Sequence, residues 1–562
     1  MKDNGNGVVA YFTPEIALDQ NLPIYSGGLG VIAASLAKSF REMDIPAIVV
    51  SILAREGYYD QYVEEIRNGT GEVVDYKMGI RYKRWEREEE FLEDTCVIVP
   101  INLSSSLNVI KVWKVKDMFN SVPVYLLDTD IPPNNHMARL NTRHLYGGTM
   151  HGGVNWDDLE RRRLAQYYIL GKGGVKALRR LNINVTKYHL NESHSYFAAQ
   201  EILSGALKSG MSWTDAVIHT KSKVCFTTHT PAASGHGHQV FPFDEVVRMA
   251  NINGKGLSTN QLLMLGGDSL GKFNMTMACF HLAGIANTVS KKHFVGTKNM
   301  WGFLEGAAPI INITNAVNHR HLQYEDFRNA QTPQQKAEAK LKYKRLLIEK
   351  YAPGWNESVF TLGWGRRGQA YKRMKLIIHG DNYRWLSNLM KENKIQVIMG
   401  GKPHPDDQER IKDWEELYKL SKSPDFPKLV VVPGYELDMM KEWSAGVDSW
   451  LNTPRSSCEA SGTSGMKGNG AINCSTPDGW EWEANQENYF PFGSDSPIDL
   501  GTHDTHDAQD LQRAANDMLT IFYHSRGEWN QKVLASDREV ETDFDSNPRA
   551  VEYAAKLYGL KV

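Results

Sequence analysis

Residues 459–470 read EASGTSGMKGNG: one acid, a run of small and hydroxyl residues, a single lysine at 467, then two glycines around an asparagine. A lysine on a solvated helix face normally sits among other charges and helix formers, and Lys467 has neither beside it. Two readings stand. The stretch is a solvated loop that happens to contain a lysine, or its glycines let backbone and amine close around a ligand.

Other stretches carry complementary chemistry. Tyr25-Ser26-Gly27-Gly28-Leu29-Gly30 lies between the strand-like VVAYF and the helical VIAASLAKSF. Glycines at a helix N-terminus let a phosphate approach backbone N–H groups at the positive end of the dipole, the alternative being a tight turn. In GWGRRGQAYKR (363–373), Arg366, Arg367, Lys372 and Arg373 follow an apolar run. Arginine forks onto phosphate oxygens and lysine adds a point charge, so the cluster reads as an oxyanion site or as a solvated basic face. HLNESHSYF (189–197) and TTHTPAASGHGHQVF (227–241) place Asn191, Glu192 and five histidines, His189, His194, His229, His236 and His238, near strand ends. No His-Glu-x-x-His spacing is present, so a polyhydroxylated ligand explains them better than a metal, and no metal is expected. Asn315, in ITNAVNH, brings a carboxamide that both donates to and accepts from a hydroxyl. Two phosphate-receptive stretches, many neutral polar groups and one lysine in a small, apolar setting are what a Schiff-base cofactor such as pyridoxal phosphate would need.

These residues must be positioned by something, and the chain supplies short, continuously apolar, β-branched runs at 45–53, 122–127, 224–230, 309–315, 395–401 and 429–434. Helical patterns such as 161–181 separate them. Runs that are apolar throughout, alternating with helices, indicate an α/β protein with mostly parallel, buried sheets. At 562 residues, two or more domains are expected. Thr332-Pro333-Gln334-Gln335 supplies an N-cap, a first-turn proline and a capping-box glutamine, predicting a helix of about 18 residues just after a domain boundary. Two such domains would receive ligands at the carboxyl ends of their strands. A net charge of −2, from 64 basic and 66 acidic residues, does not favour nucleic acid. Five cysteines without a Cys-x-x-Cys pair argue against a disulfide framework, and a reducing cytoplasm fits best. No signal-peptide or membrane-length apolar segment is seen, so no membrane partner is expected.

Taken together, LPIYSGGLG (22–30), AREGYYDQ (54–61), VPVYLLDTDIP (122–132), HLNESHSYF, TTHTP (227–231), ITNAV (313–317), GWGRRGQAYKR, GGKPHP (400–405), GVDSWLNTPR (446–455) and EASGTSGMK (459–467) resemble, in order, the α-glucan phosphorylase family that acts on glycogen, starch or maltodextrin, in its shorter prokaryotic form. The resemblance implies a glycosyltransferase-B architecture of two Rossmann-like domains, 1–317 and 318–562, with the last helix a candidate to pack back on the first. It implies pyridoxal phosphate on Lys467, acting through its phosphate, and retaining phosphorolysis of terminal α-1,4 bonds to α-glucose 1-phosphate. By similarity, Arg367 and Lys372 clamp phosphates, Tyr371 lies beside the cofactor, and Thr463, Ser464 and Gly465 lie near its phosphate. Gly28 and Leu29 face the substrate phosphate. Asn191, Glu192, His194, Asn315, Glu459, Ser461 and Gly462 meet sugar hydroxyls, and His229 meets the sugar at the cleavage point. The family also implies α-1,4-glucan and inorganic phosphate as partners, and a homodimer.

The chain departs from that pattern in three places. Lys467-Gly468-Asn469-Gly470 reaches its Asn-Gly pair two residues early, and a glycine there costs roughly 1 kcal/mol of helix propensity, so the lysine is expected to be less rigidly presented. The loop after His229 is about two residues longer than its counterpart, and an N-terminal extension that serves regulation in larger relatives is not expected. Two rival readings are a nucleotide-sugar glucosyltransferase of the same architecture, which has no use for EASGTSGMK, and a non-catalytic glucan-binding descendant.

Overall fold

The structure, a computed structural model, describes residues 7–104, 106–148, 156–231, 239–250, 257–495 and 500–561. Its chain forms two compact units, one of residues 1–58, 82–314 and 546–562, the other of 59–81 and 315–545.

The first unit is built on a sheet of nine strands among the described residues. Strands Ile310–Asn312, Ile285–Thr288, Val224–Thr227, Val185–Asn191, Val8–Phe12, Ala47–Ile52 and Val124–Asp128 pair in parallel in that spatial order. The apolar runs give strands buried on both faces, as helix-covered parallel sheets require; Ala47–Ile52 is buried at every position. Two antiparallel strands, Leu92–Leu103 and Ser106–Val115, extend the edge, and their alternating exposure marks a face that meets water. The 161–181 pattern becomes helix Trp156–Tyr168, a wider turn at Ile169–Gly173 and helix Gly174–Arg180. The last segment belongs here too. Ser546 and Ser39 share a hydroxyl hydrogen bond of 2.5 Å, and the Tyr558 hydroxyl meets His189 Nδ1 at 2.7 Å.

The second unit has six strands in parallel register among the described residues: Leu429–Val432, Ile395–Gly400, Phe360–Gly365, Ser449–Asn452, Ile472–Ser475 and Phe490–Pro491. Helix Pro333–Tyr351 starts at the Thr332 N-cap with both halves of the capping box formed. An antiparallel hairpin, Asp60–Arg67 with Val73–Arg81, joins this unit from far upstream, and its Met78 N–H donates to Glu415 at 2.9 Å. Fold class is therefore mixed α/β, with a largely parallel sheet in the first unit and a parallel one in the second. No described helix is long and apolar enough to cross a membrane.

Candidate functional site

In the second unit, three neighbouring parallel strands, Phe360–Gly365, Ser449–Asn452 and Ile472–Ser475, set the chemistry. The first releases Arg366 and the turn Ala370–Lys372 at its carboxyl end, and the second runs into the 453–471 segment that carries Lys467. Thr453 stitches the two, its hydroxyl donating to the Lys372 carbonyl at 2.5 Å and accepting from Trp364 Nε1 at 3.0 Å. Arg455 N–H donates to the Tyr371 carbonyl at 2.8 Å.

Lys467 is buried. Its Nζ donates to the Ser464 carbonyl and lies 4.3 Å from the centre of the Trp450 ring. Burial, reinforced by the positive charge of Arg366, drives its amine well below the ordinary lysine range. A lowered amine gives up its proton more readily, which exposes the electron pair that a lysine nucleophile needs toward a carbonyl. Thr463, Ser464 and Gly465 form a short 3-10 turn directly before it, with Ser464 Oγ donating to Asn452 Oδ1 at 2.7 Å. Gly462 takes the left-handed conformation at φ +79°, and a β-carbon on Gly465 would stand 2.8 Å from the Trp480 ring, so both glycines are required by space or by φ.

The cations gather around Glu459. Arg366 Nη2 lies 2.9 Å and Lys372 Nζ 3.5 Å from Glu459 Oε2. Burial alone would raise the Glu459 carboxyl, but Lys372 and Arg366 hold it below the usual range. Burial lowers Lys372 to about 7, with Glu459 opposing the shift. Arg366 Nε and Nη1 and Ser461 Oγ are buried with no partner among the described residues. Orphaned guanidinium N–H groups are costly to bury, and an oxyanion would satisfy them. Arg367 and Tyr371 are half-buried on the same segment. Arg373 takes no part: its guanidinium is committed to Asp507 at 2.6 Å, Asp504 and the carbonyls of Thr453 and Pro454. Asn315 is buried where the chain enters this unit.

The segment after Lys467 corrects one expectation. No helix follows the lysine; the chain turns through Gly468 and Gly470, at φ +61° and +72°, straight into strand Ile472–Ser475. Helix propensity therefore does not govern how Lys467 is presented. Gln323 Nε2 donates to the Gly468 carbonyl, Asn469 Nδ2 to Leu322 O at 3.0 Å and Ser444 Oγ at 2.9 Å, and Gly470 N–H to Asp537 at 3.0 Å. His319 Nε2 meets the Met466 carbonyl at 2.9 Å.

In the first unit, the carboxyl ends of Val8–Phe12, Val185–Asn191 and Val224–Thr227 bring Asn191, Glu192 and His229 together. Asn191 Nδ2 donates to Thr13 Oγ1 at 3.0 Å, and its Oδ1 meets His229 Nε2 at 2.7 Å. Glu192, at φ +69°, accepts from the His229 backbone N–H at 2.7 Å and from the Thr230 hydroxyl at 3.1 Å. A non-glycine residue held at positive φ in such a network is the kind of strain found at ligand sites. Burial lowers His229 to about 3, so its ring is neutral at pH 7 and acts as a hydrogen-bonding wall rather than a proton donor. His194 packs edge-on to Tyr167 at 4.7 Å. His189 is structural, its two nitrogens taken by Tyr558 and by Thr227 at 2.6 Å. His236, His238 and the lengthened part of the loop after His229 lie outside the described residues.

Helix Gly28–Glu42 begins at the glycine loop. Buried Glu15 already accepts from the N–H groups of Ser26 and, at 3.1 Å, Gly27. The N–H groups of Gly28 and Leu29, in the first turn, have no intrahelical acceptor and remain the ones suited to an anion. Sequence reasoning missed Glu15, along with Trp450, Asn452 and Glu481 on the second unit. Burial pushes the Glu481 carboxyl well above its usual range, and it accepts from Asn452 Nδ2 at 3.1 Å. Only the position of Asn452 at a strand end signalled any of these.

Parallel α/β sheets whose strand ends carry a buried amine, cations gathered on a carboxylate with N–H groups to spare, and polar clusters are those of ligand-converting α/β proteins. No family model matches the chain. It is 32% identical to an uncharacterized protein of Methanocaldococcus jannaschii, over 98% of this chain and 99% of that one. It is 30% identical to a maltodextrin phosphorylase of Thermococcus litoralis, over 98% of this chain and 70% of the relative, and 27% identical to a glycogen phosphorylase of Aquifex aeolicus, over 98% and 86%. The chain belongs to the maltodextrin and glycogen phosphorylase family and is an enzyme.

Proposed function

We propose that this enzyme is a pyridoxal phosphate-dependent α-glucan phosphorylase of glycosyltransferase-B architecture, cleaving terminal α-1,4 bonds with inorganic phosphate to give α-glucose 1-phosphate with retention. The setting of Lys467 carries the reading: a buried amine against Trp450, its proton loosened by burial, with the unsatisfied N–H groups of Arg366 buried in the same unit. These residues fit the cofactor. Lys467 would hold its aldehyde carbon, Thr463, Ser464 and Gly465 would leave room for its phosphate, and Tyr371 would lie beside it. When bound, pyridoxal phosphate supplies a phosphate group that exchanges a proton with the substrate phosphate.

The chain's own groups do the rest. Arg367, Arg366 and Lys372 neutralise phosphate oxygens, and their attraction is strengthened where water is excluded. Glu459, Ser461, Gly462 and Asn315 offer acceptors and donors to glucose hydroxyls. In the first unit, Gly28 and Leu29 direct N–H groups at a phosphate oxygen, Asn191, Glu192 and His194 order a polar wall, and neutral His229 hydrogen-bonds sugar without competing for the proton. A nucleotide-sugar transferase would have no use for a buried amine at 467.

Borohydride reduction of the purified holoenzyme, followed by peptide mapping, is expected to place a pyridoxyl group on Lys467. Lys467→Ala is expected to lose phosphorolysis of maltodextrin. Active enzyme with no label at Lys467, or an active alanine variant, sinks the proposal.

A further inference from the structure

Helix Pro333–Tyr351 carries a column of buried lysines, Lys336, Lys340 and Lys344, one per turn on a single face. Burying one lysine is costly, and burying three on one face demands an explanation. Two have carboxylates: Lys336 pairs with Asp537 and Glu541, each at 2.9 Å, and Lys344 with Asp448 at 2.6 Å. Lys340 is different. Its Nζ donates to three backbone carbonyls, Ser444 at 3.1 Å, Val447 at 2.6 Å and Asn469 at 2.8 Å.

Burial lowers Lys340 to about 7, and in its protonated form the amine offers three N–H bonds, all of which these carbonyls take. Two of them lie at the end of helix Leu437–Gly446, where backbone carbonyls lack intrahelical partners and the dipole is negative. The third belongs to the turn two residues after Lys467. The helix end leads directly into strand Ser449–Asn452, which brings Trp450 against the Lys467 amine and Asn452 against Ser464. One ammonium thus ties the strand that walls Lys467 to the turn that follows it. Asn469 closes the same junction from the other side, donating to Ser444 Oγ.

We propose that Lys340 is a positioning residue for Lys467, fixing the left-handed Gly468–Gly470 turn against the end of helix Leu437–Gly446 so that the amine is presented at one place. The inference rests on the reading of Lys467 as the cofactor lysine.

The test compares Lys340→Met and Lys340→Gln, which keeps two donors, with Lys344→Met, which removes an equally buried lysine from the same helix but touches nothing in 466–470. Two quantities are read: hydrogen exchange of the 466–471 peptide in cofactor-free protein, and the dissociation constant for pyridoxal phosphate by absorbance titration. Lys340→Met removes all three hydrogen bonds and is expected to speed exchange and weaken cofactor binding by at least about 10-fold each, with Lys340→Gln between it and wild type. Lys344→Met is expected to lower the melting temperature while leaving both readings near wild type. Equal effects in Lys344→Met, or none in Lys340→Met, overturn the inference. If Lys340→Met does not fold, Lys340→Gln against Lys344→Met decides by the same readings. Wild-type protein that takes no pyridoxal phosphate refutes the cofactor reading, and the exchange comparison still decides whether Lys340 holds the turn.

Discussion

Glu459 sets the charge of its neighbours. Its carboxylate is what opposes the burial of Lys372, whose amine sits at about 7. Replacing it by a neutral group removes that opposition, so Lys372 must lose its proton at a lower pH still. Glu459→Gln is expected to move the alkaline limb of the kcat/KM profile for maltodextrin phosphorolysis downward by about one pH unit, and an unshifted limb would separate Lys372 from the rate. Arg366→Lys should cost about 100-fold in kcat/KM, because a point charge cannot replace a fork that binds Glu459 and still has two nitrogens to offer. The sequence pointed to Lys467 and to Arg366, Arg367 and Lys372 through residue type and position. It could not separate Arg373 from them, since the carboxylates that capture it, Asp504 and Asp507, come more than a hundred residues later.

Elements that depend on local rules were legible. The capping box at Thr332 and the proline after it specify the start of helix Pro333–Tyr351, and both bonds form. Parallel strands such as Ala47–Ile52 and Ile395–Gly400 announced themselves as continuous apolar runs, whereas the short Ser449–Asn452 and Ile472–Ser475 did not. The turn after Lys467 was not legible, because a helix-propensity argument weighs neighbours along the chain, whereas Gly468–Gly470 is held by Gln323, Lys340 and Asp537. The hairpin at 60–81 escaped for a related reason: its membership in the second unit is decided by partners such as Glu415. A direct check on the turn is Gly470→Ala. Its β-carbon would stand 2.7 Å from the Phe327 ring at φ +72°, so the variant is expected to lose about 2–4 kcal/mol by denaturant unfolding. An unchanged midpoint would mean the turn has another conformation available.

At the scale of the whole molecule, the first unit carries an acid-sensitive centre. Burial lowers His189 to about 3 from an ordinary 6.5. Between those values the folded state keeps the ring neutral while the unfolded chain binds a proton, so stability is fully present above pH 6.5 and drains as pH falls toward 3, at up to about 1.4 kcal/mol per pH unit. Denaturant titrations between pH 7 and 4 should show that slope, and His189→Gln should flatten it relative to wild type. His229, also near 3, adds a second proton of the same sign. His189 bonds to Tyr558, and Asn287 Nδ2 donates to Tyr553 at 3.2 Å, so the sheet of the first unit is bonded to the chain's last segment. That return has a consequence during synthesis. Residues 546–562 leave the ribosome only after every residue of the second unit has been made, including the 60–81 hairpin, produced early and left waiting for its partners. The second unit can finish folding first, while the first must hold an uncovered patch of its sheet, and His189 without its Tyr558 partner, until the final helix arrives. A nascent chain arrested near residue 545 is therefore the species in which chaperones should find the most work.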